Sequence, residues 1–242
     1  MQNQYDPRTT GVNTATVGVP RAARDAGLRS YMLSVYNYMA SGVLLTGIVA
    51  LLFANSGLAA QVLVTPLRWL IILAPLGFVM AMSFGLNRMS TATLQGLFWA
   101  FAVAMGLSMS SIFLVYTGVS IAQTFFAVAA GFVGLSLYGY TTKRDLSGFG
   151  TFLIMGVVGL LVAMLINLFL QSPAMMFAIS AIGVLLFAGL TAYDTQKIKS
   201  IYFTVAGNGE AMAKSAVIGA LNLYLDFINM FLFLLRFMGN RR

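Results

Sequence analysis

Two aspartates stand in sequence that is otherwise built to dissolve in lipid. Asp194 closes the apolar run ending in LTAYDTQKIK, and Asp226 interrupts NLYLDFINMFLFLLRF at residues 222–237. On insertion scales a carboxylate at the bilayer centre costs about 2.5–3.5 kcal/mol, so each needs a partner or a purpose. Two carboxylates about 3 Å apart cannot both ionise cheaply; they share one proton and titrate as a unit. Protonated, the pair is a hydrogen bond between helices. Deprotonated, it is a repulsion in a water-poor space, a latch worked by a proton. The same oxygens are hard ligands suited to brief contact with a passing Ca²⁺. The chain has no histidine, so a response near neutral pH falls to such carboxylates; it has no cysteine, which excludes disulfides and thiolate chemistry.

Each residue also has a plainer reading. Asp226 can be neutral glue between helices, and Asp194 can pair at the membrane surface with Lys197, three residues on. Arg88, in FGLNRMST, is either a basic anchor between two segments or a cation that reaches an ionised Asp194 and biases the latch. At 100° per residue, Gly219, Asn222, Asp226, Asn229, Phe233 and Arg236 share one face, and Tyr224 points the other way. Asn222 and Asn229 thus extend a polar stripe that should face the bundle interior or a pore, since lipid offers it no partner. Asp226 lies about 15 Å into its segment, counting 1.5 Å per residue from near 216. The two aspartates therefore meet only if the helix carrying Asp194 continues through Lys199.

The elements that must position them are transmembrane helices. The chain is 60% hydrophobic and 8% charged, with mean hydropathy +0.88, which describes an all-α integral membrane protein. Its net charge of +8 is scattered over loops and ends, so it speaks for membrane flanks and against nucleic acid. Residues 1–27 are polar and read as a disordered cytosolic tail with no cleaved signal peptide; 28–242 form the membrane domain. Seven apolar segments of spanning length fall near 31–54, 68–86, 93–116, 119–140, 150–170, 174–195 and 215–238. With the N-terminus in the cytoplasm, ten of the fourteen Lys and Arg residues fall on that side. Arg68, Arg236, Arg241 and Arg242 are the exceptions, which raises the alternative that the seventh segment re-enters and returns. Ala127 with Gly131, Ala130 with Gly134, and Gly156 with Gly159 mark expected close helix approaches.

AYDTQKIK at 192–199 and NLYLDFINMFLFLLRF at 222–237 resemble the two hallmark segments of the Bax inhibitor-1, or transmembrane Bax inhibitor motif, family, bacterial members above all. The resemblance runs over roughly 30–242 and takes in VYNYMASGVLLTG at 35–47, GLSMSSIFLVYT at 106–117 and TTKRDLSGFG at 141–150. It implies seven helices with the last one central and the other six around it. It also implies a pH-sensitive calcium leak channel gated by an aspartate pair that carries over to Asp194 and Asp226, with a modulating arginine that carries over to Arg88. It further implies residence in the bacterial inner membrane and no cofactor. The partners expected are the lipid bilayer and calcium ions. A cell-death role, implied for eukaryotic members, does not transfer to a bacterial-type chain.

A second function class is a regulatory binding protein of the inner membrane that modulates a membrane-bound ATP-dependent protease, a role linked to some bacterial relatives. Enzymatic proteolysis is set aside. Intramembrane aspartyl proteases carry GxGD where this chain has Leu223, Tyr224, Leu225 and Asp226, and their Pro-Ala-Leu signature is missing.

Overall fold

The computed structural model describes residues 21–86 and 88–242. The described residues form nine helices: α1 (Arg21–Asn55), α2 (Leu58–Leu63), α3 (Leu67–Gly85), α4 (Thr91–Met109), α5 (Ser111–Val115), α6 (Gly118–Thr141), α7 (Ser147–Leu170), α8 (Pro173–Val205) and α9 (Gly209–Met238). Side chains that compete for backbone donors set many of these boundaries. Ser90 accepts from Thr93 N, Thr117 from Ser120 N, Ser172 from Met175 N and Asn208 from Ala211 N, each at the start of a helix. Pro173 occupies the first turn of α8, where its missing N–H costs nothing. Buried Ser110 turns its hydroxyl back onto Leu107 O at 2.7 Å and divides α4 from α5.

With α4 and α5 counted as one span, seven helices have membrane length and apolarity, which makes this an all-helical integral membrane protein. The predicted order and number of spans hold. Three helices are longer than predicted. α8 runs through Lys199 to Val205, as a meeting of the aspartates requires, and α9 starts at Gly209 behind its Asn208 cap. α1 begins at Arg21, inside the stretch read as tail; residues 1–20 lie outside the described residues. The added turns of α1 are held by packing. Tyr202 Oη of α8 donates to Arg24 O at 3.4 Å, Tyr31 and Tyr202 rings lie 5.5 Å apart, and Tyr31 Oη donates to Ser215 Oγ of α9 at 3.2 Å.

α9 is the core of the bundle. Of its most apolar membrane window 67% is buried, against 33% or less for every other span. It packs on α8, α1, α6 and α4, whereas α3 and α7 pack chiefly on α4 and α8. The six surrounding helices thus stand in two shells, four against α9 and two outside them. Phe84 on α3 and Phe169 on α7, both more than 80% exposed, show the lipid-facing sides of the outer pair.

Two sequence expectations need correction. Gly131, Gly134 and Gly159 face open space, so the small pairs containing them are not contacts; only Gly156 meets a neighbour, Leu186. The close approach on α6 is at Gly139, where an added Cβ would run into Ala192 O of α8. The re-entrant alternative for the last segment also falls. α9 is one continuous helix, and its far end is fixed to the connection between the third and fourth spans. Thr117 N donates to Asn240 O at 3.1 Å, Arg242 N to Val115 O at 2.9 Å and Asn240 N to Ser120 Oγ at 3.0 Å. Residues 239–242 therefore lie at the end opposite the start of α1.

Gly139→Val should push α6 from α8 and cost about 1–3 kcal/mol, the usual penalty of overpacking. Gly131→Val, which meets nothing, should stay within about 0.5 kcal/mol. Thermal unfolding of both purified variants in one detergent checks the order.

Candidate functional site

The aspartates stand on α8 and α9, which pack against each other. Gly139 against Ala192 fixes α6 on α8 two residues before Asp194, and Gly219 of α9 faces Ile198 of α8. Asp226 is 4% exposed, and its Oδ2 is buried with no hydrogen-bond partner among the described residues. Asp194 is half-buried and is the charged group near enough to act on Asp226. The cation nearest Asp194 is Lys197, on its own helix. They form no ion pair: among the described residues that contact is made only by Lys214 and Glu210, at 2.8 Å. Lys197 instead extends over the Tyr193 ring, 5.9 Å from its centroid. Lys197 thus acts on Asp194 by its charge and not through a direct ion pair.

The other predicted residues are placed differently. Asn222 and Asn229 flank Asp226 on α9, both half-buried, but Asn229 Nδ2 donates to Leu225 O of its own helix at 2.8 Å. Arg88 is exposed on the α3–α4 connection and joins no ion pair with Asp194. Asp194 thus acts electrostatically on Asp226, and Arg88 stands apart on its exposed connection. No group of three or more His, Cys, Asp or Glu side chains gathers among the described residues. The pair supplies few of the six to eight oxygens Ca²⁺ takes, so an ion resting there would keep much of its water.

Two polar clusters escape a reading by stripes. Beside Asp194, fully buried Thr195 donates to Thr191 O at 2.7 Å and lies 3.4 Å from Ser136 Oγ of α6, with the Tyr36 hydroxyl of α1 against both. On the opposite face of α9, Thr46 Oγ1 of α1 donates to Ala102 O of α4 at 2.8 Å, so the Tyr224 hydroxyl, 2.7 Å away, donates to Thr46. The Tyr224 ring meets Phe101 edge-on at 5.0 Å. The available signal was a lone Thr and a lone Tyr in apolar runs; only the fold shows that both are buried and face each other.

Residues flanking Asp194 open on a cleft of about 300 Å³ at the end of the bundle, lined by Lys143, Arg144, Asp145, Tyr193, Gln196 and Lys197. Gln196 pins the α6–α7 connection to α8, with Nε2 donating to Arg144 O and Oε1 accepting from Leu146 N, both at 2.8 Å. Hydrogen bonds from the Ser147 hydroxyl and amide hold the Asp145 carboxyl below its ordinary range. The mouth thus carries one negative charge among three positive ones.

Residues 28–242 match the family model Bax1-I, described as "Inhibitor of apoptosis-promoting Bax1". The chain is 48% identical over 220 residues to "Inner membrane protein YbhL" of Escherichia coli, covering 90% of this chain and 94% of that one. An uncharacterized protein of Rickettsia prowazekii is 49% identical over 219 residues, covering 90% and 92%. One of Caulobacter vibrioides is 46% identical over 231 residues, covering 90% and 91%.

Tyr224→Phe leaves the Thr46–Ala102 bond intact and should cost about 1 kcal/mol. Thr46→Val strands the Tyr224 hydroxyl among rings and should cost more, about 1–3 kcal/mol, although it leaves no cavity. Denaturant unfolding in micelles reads the two; the opposite order would break the assigned hydrogen-bond direction.

Proposed function

The chain belongs to the Bax1-I family, the inhibitors of apoptosis-promoting Bax1, and on that premise we propose a pH-sensitive leak for Ca²⁺ gated by Asp194 and Asp226. The observation that carries the reading is a buried, unpartnered Asp226 Oδ2 whose charged neighbour is a second carboxylate. In the closed state of this reading a proton shared by the pair keeps two negative charges from facing each other between α8 and α9. Once it leaves, two negative charges face each other in a water-poor space, and their repulsion drives α8 and α9 apart. The ion passes along the oxygens of the pair and toward the cleft beside Tyr193. Arg88 acts only in a state in which its connection has moved toward α8. The E. coli relative is described as an inner membrane protein, and the Lys and Arg distribution supports the same membrane here, with the N-terminus in the cytoplasm.

One observation favours a second reading, a regulator of a membrane-bound ATP-dependent protease. Ser34, Asn37 and Ser41 of α1 line a cleft of about 620 Å³ beside Trp99, and lipid offers such a polar row no partner. A partner's transmembrane helix would. Leucine at Ser34 and Asn37 should abolish co-purification with the protease and leave ion flux intact.

The deciding experiment is Ca²⁺ uptake by dye-loaded proteoliposomes from about pH 5 to about pH 8. Loss of the shared proton opens the path, so native flux should rise several-fold with pH. Asp226→Asn removes one of the two charges, and with it the repulsion, and should hold flux low throughout; Asp194→Asn should do the same. A pH response that survives in both variants removes the pair as the gate. Native flux no greater than that of empty liposomes rejects the channel and favours the regulator.

A further inference from the structure

Arg236 and Arg241 break the positive-inside pattern, and the fold brings them to one place. Both line a cleft of about 580 Å³ at the end of the bundle opposite the start of α1, with Asn167, Gln171, Ser172 and Phe177. Arg241 is held there by the backbone bonds from Asn240 and Arg242 to residues 115–117, and its guanidinium lies 6.0 Å from the Tyr116 ring centroid. Arg236 extends over Phe233 at 5.8 Å. Neither arginine has an acidic partner among the described residues, where the single ion pair is at the other end of the bundle. Asn167 is 4% exposed, and its Oδ1 already accepts from Ser172 N at 3.0 Å, so the end left to act in the cleft is its NH₂. Every charge in the lining is positive, and the free amide group is a donor.

The rest of the lining is apolar and open to the bilayer: Leu168 is 68% exposed, Phe177 57% and Met176 41%. Guanidinium groups match phosphate oxygens with paired, charge-assisted hydrogen bonds, and basic pockets between transmembrane helices take phospholipid headgroups. We propose that this cleft binds one anionic phospholipid. Its phosphate lies between Arg236 and Arg241, with the amides of Asn167 and Gln171 as further donors, and an acyl chain lies along Leu168, Met176 and Phe177. A free phosphate would use the first half of the site but not the second.

Native mass spectrometry of the full chain in detergent, supplied with phosphatidylglycerol or phosphatidylcholine, tests this. The native protein should retain one phosphatidylglycerol at least about fivefold over phosphatidylcholine, a difference of about 1 kcal/mol. Arg236→Gln combined with Arg241→Gln should erase the preference. Arg68→Gln, an exposed arginine expected at the same end of the bundle, should keep it. Equal retention of the two lipids by the native protein overturns the proposal, even if the double variant fails to fold. So does a preference that survives in a folded double variant. Displacement of the lipid by millimolar inorganic phosphate would assign the site to free phosphate and overturn it as well.

Discussion

A helix enclosed by other helices has neither water nor lipid at its side, so each polar group it carries must be met by protein or left unmet. α9 lives under that constraint, and its neighbours are arranged around how each group is answered. Tyr224 is answered from across the interface by Thr46, which ties α1 and α4 to the centre with one hydroxyl. Asn229 is answered locally by Leu225 O, so it asks nothing of its surroundings. Among the described residues, Asp226 Oδ2 is buried and left without an answer. That unsatisfied carboxylate oxygen is what gives the proposed leak its point of leverage.

The two ends of the bundle are secured by different means. At one end, α1, α8 and α9 outrun the bilayer: the 33 residues of α8 span about 50 Å, against a hydrocarbon thickness of about 30 Å. The excess is spent on contact, through Tyr31, Tyr202 and Ser215. At the other end, backbone bonds between 115–117 and 240–242 do the work in a few residues. Phe177 of α8 and Phe237 of α9, with ring centroids 4.5 Å apart, add a contact between those two helices at the same end.

Hydropathy showed the spans, and the positions of Asp194 and Asp226 announced themselves because charge is so costly there. The centrality of α9 came from family resemblance, because an amphipathic pattern separates polar from apolar faces but cannot tell lipid from protein when both are apolar. For the same reason Tyr224 read as the back of a stripe when it is fully buried. Gly131 and Gly134 had the spacing of a contact and no helix opposite them, while Gly139, with no small partner at that spacing, is where α6 touches α8. Spacing lies within one helix; contact needs two. The helix extensions at Arg21 and Gly209 were polar and so fell outside a search for apolar runs.

The central helix also has a place in time. α9 follows in the chain every helix that surrounds it, and synthesis proceeds from the N-terminus. While the six earlier spans are entering the bilayer, the surface that will become their common core has no occupant, and Thr46 has no Tyr224 to receive from. The contacts of those spans with α9 form only after it arrives, and residues 239–242 can close on 115–117 only after the whole of it has passed. Assembly of this protein is thus completed from its centre, with the fastening at the far end made last.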